Sequence, residues 1–170
     1  MKHLFLVRHA QAGSGLGMED HERPLTDQGR ADAERLGVLL GGGELRPALA
    51  LCSSASRAQE TLELLLGGLD PVPPHEVERR LYLATAAELL ERLAEVDDRV
   101  GTVLLVGHNP AIAELARQLA GDSEGDALSR LLRGVPAGTL AILRHDHGGW
   151  SDLAPGRACL TALVAPGDPE

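Results

Sequence analysis

The chain has 170 residues, 44% of them apolar and 24% charged, and carries a net charge of −9. That length suits one domain with a sizeable core, and the negative balance speaks against nucleic acid or an anionic membrane as a partner. Phe, Trp and Tyr together make up only 2% of the residues, so Leu, Ala and Val have to fill the interior.

Short apolar runs alternate with longer helical patterns. The runs Leu4–Val7, Ala48–Cys52, Val77–Arg79, Thr102–Val106, Thr139–Leu143 and Cys159–Val164 read as strands. The first and fourth are continuously apolar, as expected of central strands covered on both faces. Between them lie helices with legible ends. Thr26 is placed to cap a helix from Asp27 to Leu40, stopped by Gly41-Gly42-Gly43. A second helix spans Ser56–Leu66. A third opens on the capping box Thr85-Ala86-Ala87-Glu88 and runs to Val96. The fourth starts at Asn109-Pro110, read as an N-cap followed by proline at the first helical position, and ends at Gly121. A short helix is expected around Ala127–Leu132. This alternation predicts an α/β fold of three layers, a mostly parallel central sheet with helices on both faces. One domain over residues 1–165 is expected, with 166–170 as a loose tail.

Cys52 and Cys159 fall in apolar runs and read as buried thiols rather than a disulfide. The N-terminus lacks the basic, apolar and small-residue sections of a signal peptide. No apolar run reaches the length of a membrane span. A soluble, cytoplasmic protein in a reducing compartment is the expectation.

In parallel α/β sheets the ligand site lies beyond the carboxyl ends of the strands. Three strands here end in conspicuous polar groups. The first gives Arg8-His9. The second gives Cys52-Ser53-Ser54-Ala55-Ser56-Arg57, with Arg57 in the first turn of the next helix. The fourth gives Gly107-His108-Asn109-Pro110. Converged on one rim, two guanidiniums would supply planar donor forks for phosphate oxygens. Two helix N-termini would add free N–H groups, and an imidazole can attack phosphorus. A cation in the first turn of a helix opposes the helix dipole, so Arg57 calls for an anion nearby.

The segments that carry these groups are Leu6-Val7-Arg8-His9-Ala10, Arg23-Pro24-Leu25-Thr26 with Gly29, Ser53 to Thr61, and Val106-Gly107-His108-Asn109-Pro110. In them the chain resembles the histidine phosphatase (phosphoglycerate mutase-like) superfamily. The His-Asn-Pro form of the last motif and the small size are similar to the SixA branch of protein-phosphohistidine phosphatases. The resemblance implies a phosphatase that needs no cofactor or metal and works through a phosphohistidine on His9, with Arg8, Arg57 and His108 binding the phosphoryl group. Ala10 stands where the motif usually has glycine. The resemblance also implies a phosphorylated protein, phosphohistidine among the candidates, or a small phosphorylated metabolite as substrate. Two other readings stand beside it: a phosphoglycerate-mutase-like phosphotransferase, and a catalytically inactive module that binds phospho-ligands.

The other singled-out residues are placed by their surroundings. A proton donor for the leaving group is not evident. Glu88 is explained by its capping box, and Asp20, in the loop opened by the glycines after His9, is the provisional choice. Tyr82, after the third strand, stands either at the pocket mouth or, more simply, in the core. His145-Asp146-His147 reads as a hairpin loop rather than a zinc site, having no third ligand.

Overall fold

The computed structural model describes residues 1–169. Seven strands form one sheet: β1 (Lys2–Arg8), β2 (Leu49–Ser53), β3 (His75–Glu78), β4 (Thr102–Gly107), β5 (Ala120–Ser123), β6 (Leu140–His145) and β7 (Ala158–Val164). They lie in the order β3-β2-β4-β1-β6-β7-β5. Neighbours from β3 to β1 are parallel, as are β5 and β7, while β6 runs antiparallel to both β1 and β7. The five helices are α1 (Asp27–Gly42), α2 (Ser56–Leu66), α3 (Ala86–Ala94), α4 (Ala111–Leu119) and α5 (Ala127–Arg133).

The period-2 alternation of strand side chains divides the core into two halves. On one face Leu4 and Leu6 of β1 and Val103 and Leu105 of β4 pack with Leu89 and Leu93 of α3, Ile112 and Leu115 of α4 and Leu131 of α5. On the other face Phe5, Val7, Leu104 and Val106 pack with Leu36 and Leu40 of α1 and Leu62 and Leu65 of α2. Each such leucine or phenylalanine, taken fully from water, contributes about 1.5–3 kcal/mol before entropy is set against it.

The structure moves several expected boundaries. β3 starts two residues earlier and ends one residue earlier than the apolar pattern placed it. It is an edge strand with exposed His75 and Glu76, and the chain turns into a short 3-10 segment at Arg79–Leu81. β5 was not expected at all. Ala-Gly-Asp-Ser carries no apolar alternation; it is a strand because the chain leaving α4 runs beside β7. At Gly121 the chains come so close that a methyl would lie 2.1 Å from the Gly156 carbonyl oxygen. Consequently α4 ends at Leu119, not Gly121. It also begins one residue late, at Ala111 with Pro110 in the cap position. Asn109 still serves the helix, its Oδ1 accepting from the Ala113 N–H at 3.3 Å. At α3 the Thr85 hydroxyl accepts from the Glu88 N–H and also meets the Glu88 carboxylate, both at 3.2 Å. The C-terminal segment is tethered: the Asp168 carboxylate accepts from the Ala165 N–H at 2.9 Å and pairs with Arg130 at 2.5 Å. Among the described residues no helix is long and apolar enough to cross a membrane.

α1 and α2 meet along a seam of glycines. A methyl on Gly37 would lie 2.6 Å from the Leu64 carbonyl oxygen, and one on Gly41 would lie 1.9 Å from that of Gly68. Backbone touches backbone here, so the helices cannot accommodate a Cβ without separating. In an open helix Gly→Ala stabilises by up to about 1 kcal/mol. Here overpacking reverses the sign, and Gly41→Ala is expected to destabilise by roughly 1–3 kcal/mol. A lowered urea midpoint at constant m-value checks this; a midpoint that rises would show that the seam has slack.

Candidate active site

The site is assembled by strand ends. β1 and β4 run parallel with Arg8 opposite Gly107, and the His9 N–H continues the ladder to the Gly107 carbonyl at 3.0 Å. Both strands therefore release their next residues at one level of the sheet. The rings of His9 and His108 lie with centroids 5.1 Å apart. β2 flanks β4 on its other side, with Cys52 opposite Val106. It feeds directly into α2, whose first turn carries Arg57, 7% exposed. The structure thus brings Arg8, His9, Arg57 and His108 together.

The partners of these side chains define their chemistry. His9 Nδ1 is 2.8 Å from the Ala10 carbonyl oxygen. That oxygen can only accept, so Nδ1 carries the proton and Nε2 keeps its lone pair. His108 Nε2 is 2.7 Å from the Ser53 hydroxyl. Arg8 donates to the Val135 carbonyl at 2.9 Å. Arg57 donates to the Asp20 carbonyl at 2.7 Å and to its carboxylate at 3.1 Å. Yet Arg8 Nε, Arg57 Nε and His108 Nδ1 are buried with no partner at all. A buried polar group left unpaired costs on the order of 1–3 kcal/mol.

The local field agrees. Burial, then the guanidiniums of Arg57, Arg8 and Arg23, lower the His9 pKa to about 4, against the opposing pull of the Ala10 carbonyl. Burial, His9 and Arg57 lower that of His108 to about 3. Both imidazoles are neutral at physiological pH.

Asp20 does not fit the role of proton donor. It sits in a 3-10 turn, Asp20–Glu22. Its carboxylate takes hydrogen bonds from the Tyr82 hydroxyl, Arg23 and Arg57. These donors, Tyr82 foremost, hold it well below the ordinary carboxylate range. A carboxylate so held has no proton to give at neutral pH.

Tyr82 is half-buried, packed against the core and reaching the rim. Its ring stands edge-on to His108 at 5.7 Å and to His21 at 4.7 Å, and the Arg57 guanidinium lies 6.0 Å from its centroid. His21 Nε2 is in turn 2.8 Å from the Ser54 hydroxyl. Adjacent serines at the end of β2 thus each hold one imidazole. Sequence reasoning quoted Ser53 and Ser54 as part of a motif without assigning them this work. It gave no role to Thr61, whose hydroxyl accepts from the Ala10 N–H at 3.0 Å and donates to the Arg57 carbonyl at 2.7 Å. Nor did it foresee Val135, whose carbonyl also accepts from Asn109 at 2.9 Å. Ala10 is fully buried beside Leu25 and Ala33, so its methyl is accommodated. The loop between His9 and Asp20 folds back through Arg23, which donates to the Gly13 carbonyl at 2.9 Å. Gly15 has φ +65°, and a methyl there would lie 2.2 Å from the Arg23 side chain, so glycine is needed at that point.

Outside the site, His145 closes β6 with Nδ1 3.2 Å from the Arg157 carbonyl oxygen. Among the described residues no group of three or more His, Cys, Asp or Glu side chains is arranged to hold a metal ion. Cys52 and Cys159 are both free; burial pushes the Cys52 thiol up to about 12.

Comparison with known proteins places this geometry. Residues 4–82 match the model of the histidine phosphatase superfamily (branch 1). An uncharacterized protein of Mycobacterium tuberculosis is 38% identical over 167 residues, covering 94% of this chain and 99% of that one. A Nakamurella multipartitia structure named as a candidate phosphohistidine phosphatase SixA superposes with a TM-score of 0.85 at 32% identity, covering 98% of this chain and 97% of that one. The protein histidine phosphatase SixA complexed with tungstate shares the fold, with a TM-score of 0.76 at 22% identity over 96% of this chain and 97% of that one.

The depressed imidazoles make stability depend on pH. When the chain unfolds, His9 and His108 return towards the ordinary value of 6.5. Below that pH the unfolded chain binds protons that the folded chain refuses. The contribution of the two imidazoles is therefore complete above 6.5 and is lost as pH falls towards 4. Urea unfolding at pH 7.5, 6.0 and 4.5 is expected to show a progressive fall in midpoint, flattened in a His9→Asn/His108→Asn variant. Equal slopes in the two proteins would overturn this account.

Proposed function

This chain belongs to the histidine phosphatase superfamily, and from that premise we propose that it hydrolyses phosphorylated substrates through a covalent phosphohistidine on His9. The observation that carries the proposal is the convergence of the Arg8 and Arg57 guanidiniums and the His108 ring on an imidazole whose Nδ1 is held by a carbonyl, which leaves Nε2 to attack. In the first step Nε2 attacks phosphorus, and the bond to the leaving group breaks with its electron pair on the leaving atom. Arg8, Arg57 and His108 hold the oxygens over which the negative charge spreads. In the second step water attacks phosphorus, the bond to His9 breaks and phosphate departs. Asp20 orients Arg57 through its carbonyl and carboxylate.

The same geometry favours a class of leaving group. The two imidazoles of the cradle are neutral and the carboxylate beside it is ionised. The Tyr82 hydroxyl is pushed up by its bond to Asp20 and is a poor acid. None of these groups readily supplies a proton to a departing alkoxide. A phosphoramidate, phosphohistidine above all, brings its own proton on the leaving heterocycle, and its P–N bond breaks without such help. The SixA name borne by the structural relatives supports the same reading. Two free thiols fit a reducing compartment such as the cytoplasm.

His9→Ala is expected to lower turnover roughly 10³-fold or more, and to abolish a phosphoenzyme that is labile in acid and stable in alkali. Rapid-quench labelling with a radiolabelled phosphoramidate checks both. Label retained in His9→Ala would remove His9 from the reaction. Label transferred to a second alcohol in preference to water would make the protein a phosphotransferase.

A further inference from the structure

His9 and His108 are two neutral imidazoles in one cradle, and their partners treat them differently. His9 meets a carbonyl, which can only accept, so its Nδ1 carries the proton and its Nε2 the lone pair. His108 meets a hydroxyl, which can accept or donate: its Nε2 is 2.7 Å from Ser53 Oγ. The surroundings of that hydroxyl decide the direction. Ser53 is fully buried, so solvent does not take its hydrogen. Its oxygen already accepts from the Ala55 N–H at 3.2 Å. Among the described residues, the one acceptor in hydrogen-bonding reach of the Ser53 hydroxyl is His108 Nε2. The hydroxyl therefore donates to Nε2, which must be bare, and the single proton of the neutral ring sits on Nδ1. The reverse bond would strand the Ser53 hydrogen in a buried place without an acceptor, the costly arrangement. Ser54 shows the contrast. It is half-buried beside His21, so solvent can complete its bonding and no tautomer follows for that ring.

We propose that Ser53 is a positioning residue: it fixes His108 as the Nδ1–H tautomer, so that the ring donates a hydrogen bond to the transferring phosphoryl group. This rests on the phosphatase reading above and adds the residue that gives His108 its direction. Burial, His9 and Arg57 keep the ring from taking a second proton at neutral pH. One proton has to serve, and its position decides whether the ring attracts or repels an oxyanion. On Nδ1, which is buried and has no acceptor among the described residues, the proton is free to bond a phosphoryl oxygen. On Nε2 it would be taken by Ser53, and a lone pair would be left for those oxygens to meet. Two imidazoles whose centroids lie 5.1 Å apart thus receive opposite duties. The Ala10 carbonyl leaves His9 a lone pair to attack with, and the Ser53 hydroxyl leaves His108 a hydrogen to offer. His108 keeps its proton throughout; it stabilises charge and transfers nothing.

Long-range nitrogen–proton correlations of the imidazoles in isotopically labelled protein at neutral pH read the tautomer directly, with the His108 signals assigned by their loss in His108→Gln. The wild type is expected to show His108 protonated on Nδ1. Inorganic phosphate should shift that Nδ1–H resonance and leave in place that of His145, whose Nδ1 bonds the Arg157 carbonyl. In Ser53→Ala the His108 signals are expected to move towards the Nε2–H form or an average of the two. The same variant should lose roughly tenfold in kcat/KM for a phosphoramidate, chiefly in kcat. An Nε2–H ring in the wild type overturns the inference whatever the variant does. So does an Nδ1–H resonance unmoved by phosphate at concentrations that inhibit turnover. If Ser53→Ala keeps the tautomer, the serine only packs and the inference fails; an altered tautomer with unchanged kcat/KM defeats it equally. Wild-type protein with the expected tautomer but no phosphoenzyme on His9 would instead defeat the phosphatase reading, and with it the catalytic use of Ser53.

Discussion

The parallel register of β1 against β4 is the constraint on which the site depends. Arg8 lies opposite Gly107, and one further ladder bond carries the pairing to His9. A slip of one residue would turn His9 to the opposite face of the sheet and dismantle the pair of imidazoles. The register is secured by apolar side chains on both faces, with Leu4 and Leu6 on one side and Phe5 and Val7 on the other. Central, doubly buried strands leave little tolerance for slippage, so the most exacting geometry in the molecule is placed where the fold is most strongly specified.

Gathering cations at that point has a cost, and the protein meets it with backbone oxygens. The Val135 carbonyl steadies Arg8 and the Asp20 carbonyl steadies Arg57. Neither carbonyl carries a formal charge, so the guanidiniums are oriented without being fully neutralised. The one carboxylate at the site stands at its edge, shared among Arg57, Arg23 and Tyr82. The result is a local excess of positive charge, within a chain whose overall charge is −9. The imidazoles respond to the same field and to burial by staying neutral, which keeps the nucleophilic lone pair on His9 Nε2.

The central strands, the four main helices and the residues of the cradle were legible because each carries a local signal. β1 and β4 are continuous apolar runs, α1 announces its start with Thr26, and Arg8, His9, Arg57 and His108 sit at strand ends inside recognisable motifs. What escaped depends on neighbours distant in sequence. β5 is a strand only because β7 lies beside it. Tyr82 reaches the site through Asp20, 62 residues earlier in the chain. Val135 holds Arg8 across 127 residues. Asp20 was found by its position in the loop, but its ionisation could not be read there, because it follows from three donors that only the fold brings together.

The Thr61 hydroxyl, which bridges the Ala10 N–H and the Arg57 carbonyl, has a consequence for how the molecule can open. It fastens the segment after His9 to the first turn of the helix that carries Arg57, so these two open to solvent together, as one cooperative unit. The glycine-bearing loop before Asp20 has no such fastening at its tip, where Leu16 stands 94% exposed. Through Thr61, residues 51 apart in the chain are committed to a single opening event.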